Sequence, residues 1–324
     1  MHSPTAAASS TTCWEADNAV VIQGFYRIDA RFTSQSPPAD PTYAAIWEQL
    51  GMRYYYDGEF GGGGLAVLDR SNSALERAVA LDPNLVLAGA QLAVNRADRG
   101  DLQRSYLEAL ALVNRRSENA YAHFSLGYAL RYAGLIDEAA RECDTAMRLD
   151  AHNYQFRSCA RVFLQLGRPQ RAMEIVHLDA GSQYALNITP TILLSEGKFK
   201  EAQESVKQVA DNAWYRREFL EACLNRADSS ELRNAAIAME SAVLSHPDSE
   251  PRYVAGTVLS FCGQEDAAAR VLKSAIRQNY CAYKALQTDP LLAKLRENSE
   301  FTDLLNMAKQ CQDKFLAQRA RLPH

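Results

Sequence analysis

This chain has no apolar run of membrane length. Nothing in it approaches the roughly 18 consecutive apolar residues a spanning helix needs. Its opening, MHSPTAAASSTTCWEAD, has neither a charged stretch leading into an apolar one nor a twin-arginine pair. A soluble, cytoplasmic protein without membrane contact is the expectation. Blocks of lysine and arginine are missing as well, and a formal net charge of -4 leaves no basic footprint for a phosphate backbone, which sets nucleic acid aside as a partner. Signs of catalysis are equally scarce. The four glycines Gly61 to Gly64 run into Leu65-Ala66-Val67 rather than the Gly-Lys-Ser/Thr that opens a phosphate-binding helix, so they read as a protruding loop. No G-x-S-x-G elbow occurs, and the six histidines stand alone without an H-E-x-x-H pair. No catalytic residue, metal or cofactor is expected, and the chain reads as a non-enzyme. Seven scattered cysteines, without a C-x-x-C or a nearby histidine, read as free buried thiols in a reducing compartment.

What the chain does have is a period. Apolar residues make up 47% of it and charged ones 23%, within the ordinary globular range. Small residues recur at Ser71, Ser105, Ala139, Ala172, Ala202, Ala235 and Ala268, with consecutive members 30 to 34 residues apart. Seven residues past each lies a second mark (Ala78, Leu112, Ala146, Asp179, Val209, Ala242, Ala275) that is apolar in all but Asp179. Five residues before the small residue, Gly100, Gly134, Gly167, Gly197 and Gly263 supply the left-handed conformation that ends one helix and lets the next fold back. The apolar spacing between turns is helical, so each unit is a helix hairpin. Gly51, Gly127 and Ala139 let paired helices approach closely while Trp47, Tyr54 and Leu75 fill the space beside them.

Three units depart from the pattern. The first carries eight extra residues between Tyr54 and Ser71, where the glycine loop falls. The fifth has Pro190 inside its first helix, which predicts a kink or a late start. The sixth lacks the turn glycine and offers Asp228-Ser229-Ser230 as a helix N-cap. Residues 1–41 read as a flexible segment with a short helix around Asn18 to Phe32, followed by a linker. Residues 42–282 form the array, and 283–324 form capping helices with a polar outer face.

Trp47-x-x-Leu50-Gly51-x-x-Tyr54, Gly58 and Leu81-Asp82-Pro83, repeated as Ser125-Leu126-Gly127-Tyr128, Gly134, Ala139, Ala146 and Leu149-Asp150, resemble the tetratricopeptide repeat (TPR). The resemblance covers roughly residues 42–282. It implies an all-α fold, a right-handed α–α superhelix of about seven hairpins plus capping helices, and a role as a scaffold for a protein or peptide partner. The stretches YYYDGEFGGGG, FRSCARVFLQLG, LDAGSQYALN and TDPLLAKLRENSEF also resemble the TPR arrays behind the catalytic domain of acidobacterial serine/threonine kinases. That implies a second role, as a stand-alone docking or regulatory module of bacterial kinase signalling; the H-R-D and D-F-G elements of a kinase are absent.

In this repeat family the first helix of each hairpin lines the concave face. Carried over, the inward positions are Met52, Tyr55 and Tyr56 in the first unit and Tyr121, Phe124, Tyr128, Arg131 and Tyr132 in the third. Tyrosine and arginine anchor interfaces well, so these residues are candidates for partner contact, packing between hairpins being the competing reading. Arg157 and Arg161, one turn apart, are either a carboxylate-binding pair or part of a solvated face. The carboxylate clamp of chaperone-binding relatives is missing, since its places hold Glu48, Met52, Ala90 and Val94.

Overall fold

The hairpin period appears directly in the backbone. A computed structural model describes residues 42–60, 63–210 and 215–321, and among these there are sixteen α-helices and no strand. The helix expected around Asn18 to Phe32 lies outside the described residues. The first three hairpins pair α1 (Ala44–Phe60) with α2 (Gly64–Leu81), α3 (Val86–Asp98) with α4 (Leu102–Arg115), and α5 (Ala120–Tyr132) with α6 (Ile136–Leu149). The fourth joins a 3-10 turn (Tyr154–Ser158) and α7 (Cys159–Gln165) to α8 (Pro169–His177). The fifth and sixth pair α9 (Gln183–Ser195) with α10 (Phe199–Val206), and α11 (Arg217–Leu224) with α12 (Ser229–Leu244). The seventh pairs α13 (Glu250–Phe261) with α14 (Glu265–Arg277); α15 (Tyr283–Thr288), two short 3-10 turns and α16 (Phe301–Arg319) follow.

The five turn glycines all have φ between +69° and +80°, the left-handed region in which a side chain is strained. The small residues form the seams. Ser71, Ser105, Ala139, Ala172, Ala202 and Ala268 are fully buried. Two of them also bond across the hairpin: Ser71 donates to the Gly51 carbonyl at 2.8 Å and Ser105 to the Ala93 carbonyl at 2.7 Å. At Gly51 an added Cβ would lie 2.6 Å from Leu75 Cγ, so only glycine admits this approach.

Several departures resolve differently from the sequence reading. The eight extra residues of the first unit lengthen its helices: α1 and α2 have 17 and 18 residues against 13 and 14 in the next two hairpins. That is about one extra turn in each, and Gly64 opens α2, while Gly61 and Gly62 of the expected loop lie outside the described residues. In the fifth unit α9 starts on schedule, capped by the Ser182 hydroxyl, and runs through Pro190. The late-starting unit is the fourth, whose first helix opens as a 3-10 turn. In the sixth, Asp228 caps α12 as expected, accepting from the Ser230 and Glu231 amides, and Arg226 takes the positive φ that glycine has elsewhere. The register there moves by one, burying Ala236 and Val243 and leaving Ala242 exposed.

Six of the seven cysteines are paired, not free, and Cys13 lies outside the described residues. Cys143 bonds to Cys159, Cys223 to Cys262 and Cys281 to Cys311. The first joins the third hairpin to the fourth, the second joins the sixth to the seventh, and the third ties the segment after α14 to α16. Closing a span of 16 residues restricts the unfolded chain by about 3 kcal/mol. Replacing Cys143 and Cys159 by alanine should therefore lower the urea-unfolding free energy by about that amount. Thiol titration of the denatured, unreduced protein should find six of the seven cysteines unreactive; more than one reacting would contradict the pairing.

Candidate functional site

The expected contact residues lie mainly on α5. Tyr121, Phe124, Tyr128 and Tyr132 fall on one side of this helix at spacings of three and four residues, so their rings form a ladder. At its outer end Tyr121 and Phe124 meet Phe156 of the fourth hairpin, with centroids 5.2 and 5.1 Å apart, and the Tyr121 hydroxyl donates to Gln155 Oε1 at 2.7 Å. Further in, Tyr128 and Tyr132 stack at 5.2 Å, and Tyr132 meets Tyr280 edge-on at 4.8 Å.

The inner end is occupied by the chain's own seventh hairpin. Arg131 forms a two-pronged ion pair with Glu250 at the start of α13, with Nη2 to Oε2 at 3.1 Å and a shorter contact between Nη1 and Oε1. Glu250 Oε1 also lies 3.7 Å from Arg161 Nε. The Arg131 guanidinium sits 4.6 Å from the Tyr128 ring centroid and 5.1 Å from that of Tyr132. Burial, the largest single influence, lowers the Arg131 pKa, but Glu250 together with Tyr280, Tyr128 and Tyr132 outweighs it and holds the group well above its usual value. Tyr280 donates nothing to Arg131; its oxygen accepts from Arg131 Nη1 at 3.4 Å and from Gln165 Nε2 at 2.6 Å. The backbone joins in, with Cys281 N–H donating to the Tyr132 carbonyl at 2.7 Å and Asn279 Nδ2 donating to the Gly100 carbonyl at 2.7 Å. Gln312 of α16 bonds the Gly134 carbonyl, and Lys284 and Arg319 pair with Asp137 and Glu138 of α6. The solenoid is closed on itself.

This sorts the expected contact residues into two sets. Arg131 (1% exposed), Tyr132 (0%) and Arg161 (5%) are sealed inside the closure, with Tyr128 partly covered beside them. Their present partners belong to this same chain, a correction to the open trough expected from the repeat. Tyr55, Tyr121, Phe124 and Arg157 are half-buried, and Tyr56 is 43% exposed. Arg157, Tyr154 and Tyr121 all act on the Tyr56 hydroxyl, which burial raises above its usual pKa while Arg157 pulls it back; α1 thus faces the turn of the fourth hairpin across a mouth. Tyr154, 51% exposed, belongs to this mouth and was missed in the sequence because it sits in a 3-10 turn and not on a regular helix face. Arg157 is held by Asp179 at 2.9 Å and lies 5.3 Å from the Tyr184 centroid, so Arg157 and Arg161 do not act as one pair. The same bond accounts for the polar Asp179 in an otherwise apolar row. Sequence reasoning also missed Asp98, Asp248, Glu250 and Tyr280, whose positions carry no periodic mark.

Among solved structures, this chain is similar to the APC/C hetero-tetramer Cut9–Hcn1, with 14% identity and a TM-score of 0.57 over 87% of this chain and 59% of that one. It is also similar to a tetratricopeptide repeat protein from Parabacteroides merdae ATCC 43184, with 15% identity and a TM-score of 0.42 over 81% of this chain and 98% of that one. The fold is a TPR-like helical solenoid. A third structure, yeast Tom70, gives 16% identity and a TM-score of 0.38 over 94% of this chain and 61% of that one. Identities this low speak to fold alone. No protein-family model matches the sequence, and no curated protein matches it. Among the described residues no helix is long and apolar enough to cross a membrane, and no three His, Cys, Asp or Glu side chains gather at metal-holding spacing.

Proposed function

We propose that this chain is a protein-interaction scaffold that takes a protein or peptide segment at the aromatic mouth of its concave face. The observation that carries this reading is the exposure of Tyr56 and Tyr154, 43% and 51%, beside the half-buried Tyr55, Tyr121, Phe124 and Arg157. Aromatic rings with polar tips around a guanidinium offer large contact area at low entropic cost, together with donors for backbone carbonyls. The general role of helical solenoids as binding surfaces supports the same reading. A kinase-linked form of the role is supported only by the four sequence stretches quoted above. The three disulfides favour an oxidising compartment over the cytoplasm as the setting.

The test is a peptide-display selection followed by Kd measurement on the best ligand. Tyr56→Ala and Tyr154→Ala should each weaken binding about tenfold or more, as truncation of an interface anchor does. Phe199→Ala, a change at a ring 55% exposed on α10, should leave it unchanged. Equal affinity across all three variants would remove the mouth as the binding surface.

A further inference from the structure

Three short oxygen-to-oxygen contacts tie the closure together, beside a longer one of 3.3 Å between the Tyr128 and Tyr132 hydroxyls. Tyr128 Oη lies 2.7 Å from Asp98 Oδ1, Tyr132 Oη lies 2.9 Å from the same atom, and Tyr132 Oη lies 2.8 Å from Asp248 Oδ1. Each has hydrogen-bond length, so each needs a proton between its oxygens. The two phenols supply two. The third must sit on a carboxyl group: on Asp98, which then donates to Tyr132 while Tyr132 donates to Asp248, or on Asp248 with the order reversed. We propose that Asp98, Tyr132 and Asp248 form a one-proton latch, holding the seventh hairpin against the second and third while the shared proton is present and letting the concave face open when it is lost. This rests on the reading of the concave face as the interaction surface, because opening uncovers Arg131, Tyr132 and Arg161 for a partner.

The neighbouring charges set the direction. Tyr55 and Glu59 face the latch from α1, Arg99 from α3, and Arg131, paired to Glu250, from α5. His246, Asp248, Glu250 and Arg252 face it from the start of the seventh hairpin. Burial raises Asp98 to about 7, with Glu59 adding to the rise and the bonds from Tyr128 and Tyr132 opposing it. Burial also lifts Asp248 well above the carboxylate range, helped by Asp98 and Glu250 and opposed by the Glu250 amide and Tyr132. Glu59 is raised by burial and held back by Arg99. Carboxyl groups raised in the closed form stabilise it fully below their open-form values, and that stabilisation is lost as pH rises through about 7. His246 works the other way. Its Nδ1 accepts the Asp248 amide at 3.2 Å and burial lowers its pKa, so a proton on it opposes closure in acid. The latch is tightest on the acid side of neutrality, above the point where His246 becomes charged.

Hydrogen exchange at the Cys281 amide, bonded to the Tyr132 carbonyl, reads the latch in the full chain with no partner added. Its outcome is thus separate from that of the peptide-binding test. After correction for intrinsic rates, protection of residues 278–284 should fall by up to tenfold per pH unit as pH rises toward about 7 from above the point where His246 becomes charged, and level off once the closed form has also lost its proton. Asp98→Asn supplies the third hydrogen permanently from its amide and should flatten that dependence, and Glu59→Gln should leave it in place. Circular dichroism checks each variant's folding, and the wild-type profile tests the latch by itself. A wild-type chain whose protection ignores pH, a slope that persists in the folded Asp98→Asn variant, or a slope abolished by Glu59→Gln would overturn the latch.

Discussion

Gly134→Ala should destabilise the protein by several kcal/mol, while the same substitution at Gly167 should cost only about 1 kcal/mol. Both glycines end the first helix of a hairpin, with φ of +74° and +69°, so both variants bear the same left-handed strain. They differ in what surrounds them. Nothing lies within 4 Å of a Cβ built at Gly167, whereas at Gly134 it would sit 1.8 Å from the Cys281 carbonyl oxygen and 3.0 Å from Gln312 Nε2. The obstacle is backbone, pinned by the bond from Cys281 N–H to Tyr132 and by the disulfide to Cys311, so it cannot turn aside as a flexible side chain would. Urea unfolding of the two variants side by side decides the matter: costs equal within about 0.5 kcal/mol would mean that the closure contributes nothing at this point.

Arg131→Ala is expected to cost about 3–5 kcal/mol, the usual result of removing one partner from a buried ion pair. Glu250, 3% exposed, would be left among aromatic rings with Arg161, 3.7 Å away, as the neighbouring cation. The loss should come mainly from the stranded carboxylate, so the double variant Arg131→Met with Glu250→Leu should recover most of it. A single variant within about 1 kcal/mol of wild type in denaturant unfolding would mean that the pair is solvated in solution and the inner end of the groove open.

The hairpins were legible because each repeats one local rule. A glycine turn, a small residue three positions into the second helix and an apolar residue seven further on suffice to place a pair of helices, and the positive φ of Gly100, Gly134, Gly167, Gly197 and Gly263 follows from that rule. The sixth hairpin escaped it because Arg226 turns the chain earlier than the missing glycine would have and the Asp228 cap starts α12 ahead of schedule, moving its buried stripe to Ala236, Met239 and Val243. Closure was illegible for a different reason. Arg131 and Glu250 are 119 residues apart, and Tyr132 and Asp248 are 116 apart. Neither separation is marked by composition, and the curvature that brings the pairs together accumulates over four interfaces between hairpins. The cysteine pairs depended on the same curvature: scattered thiols carry no record of which helix faces which. The mouth was half legible. Tyr55, Tyr56, Tyr121 and Phe124 followed from helix faces, while Tyr154 depended on a 3-10 turn that replaces the regular start of a helix.

Helical solenoids of this type normally stretch like springs, because each hairpin touches only its neighbours and small rotations add along the array. Here the seventh hairpin is fastened to the second and third by the Cys281 amide, the Asn279 side chain and the Arg131 ion pair. Pulled from its two ends, such a molecule would carry tension first through this clasp. Its elasticity should then be that of a buckled belt, stiff at low load and compliant only once the buckle gives way.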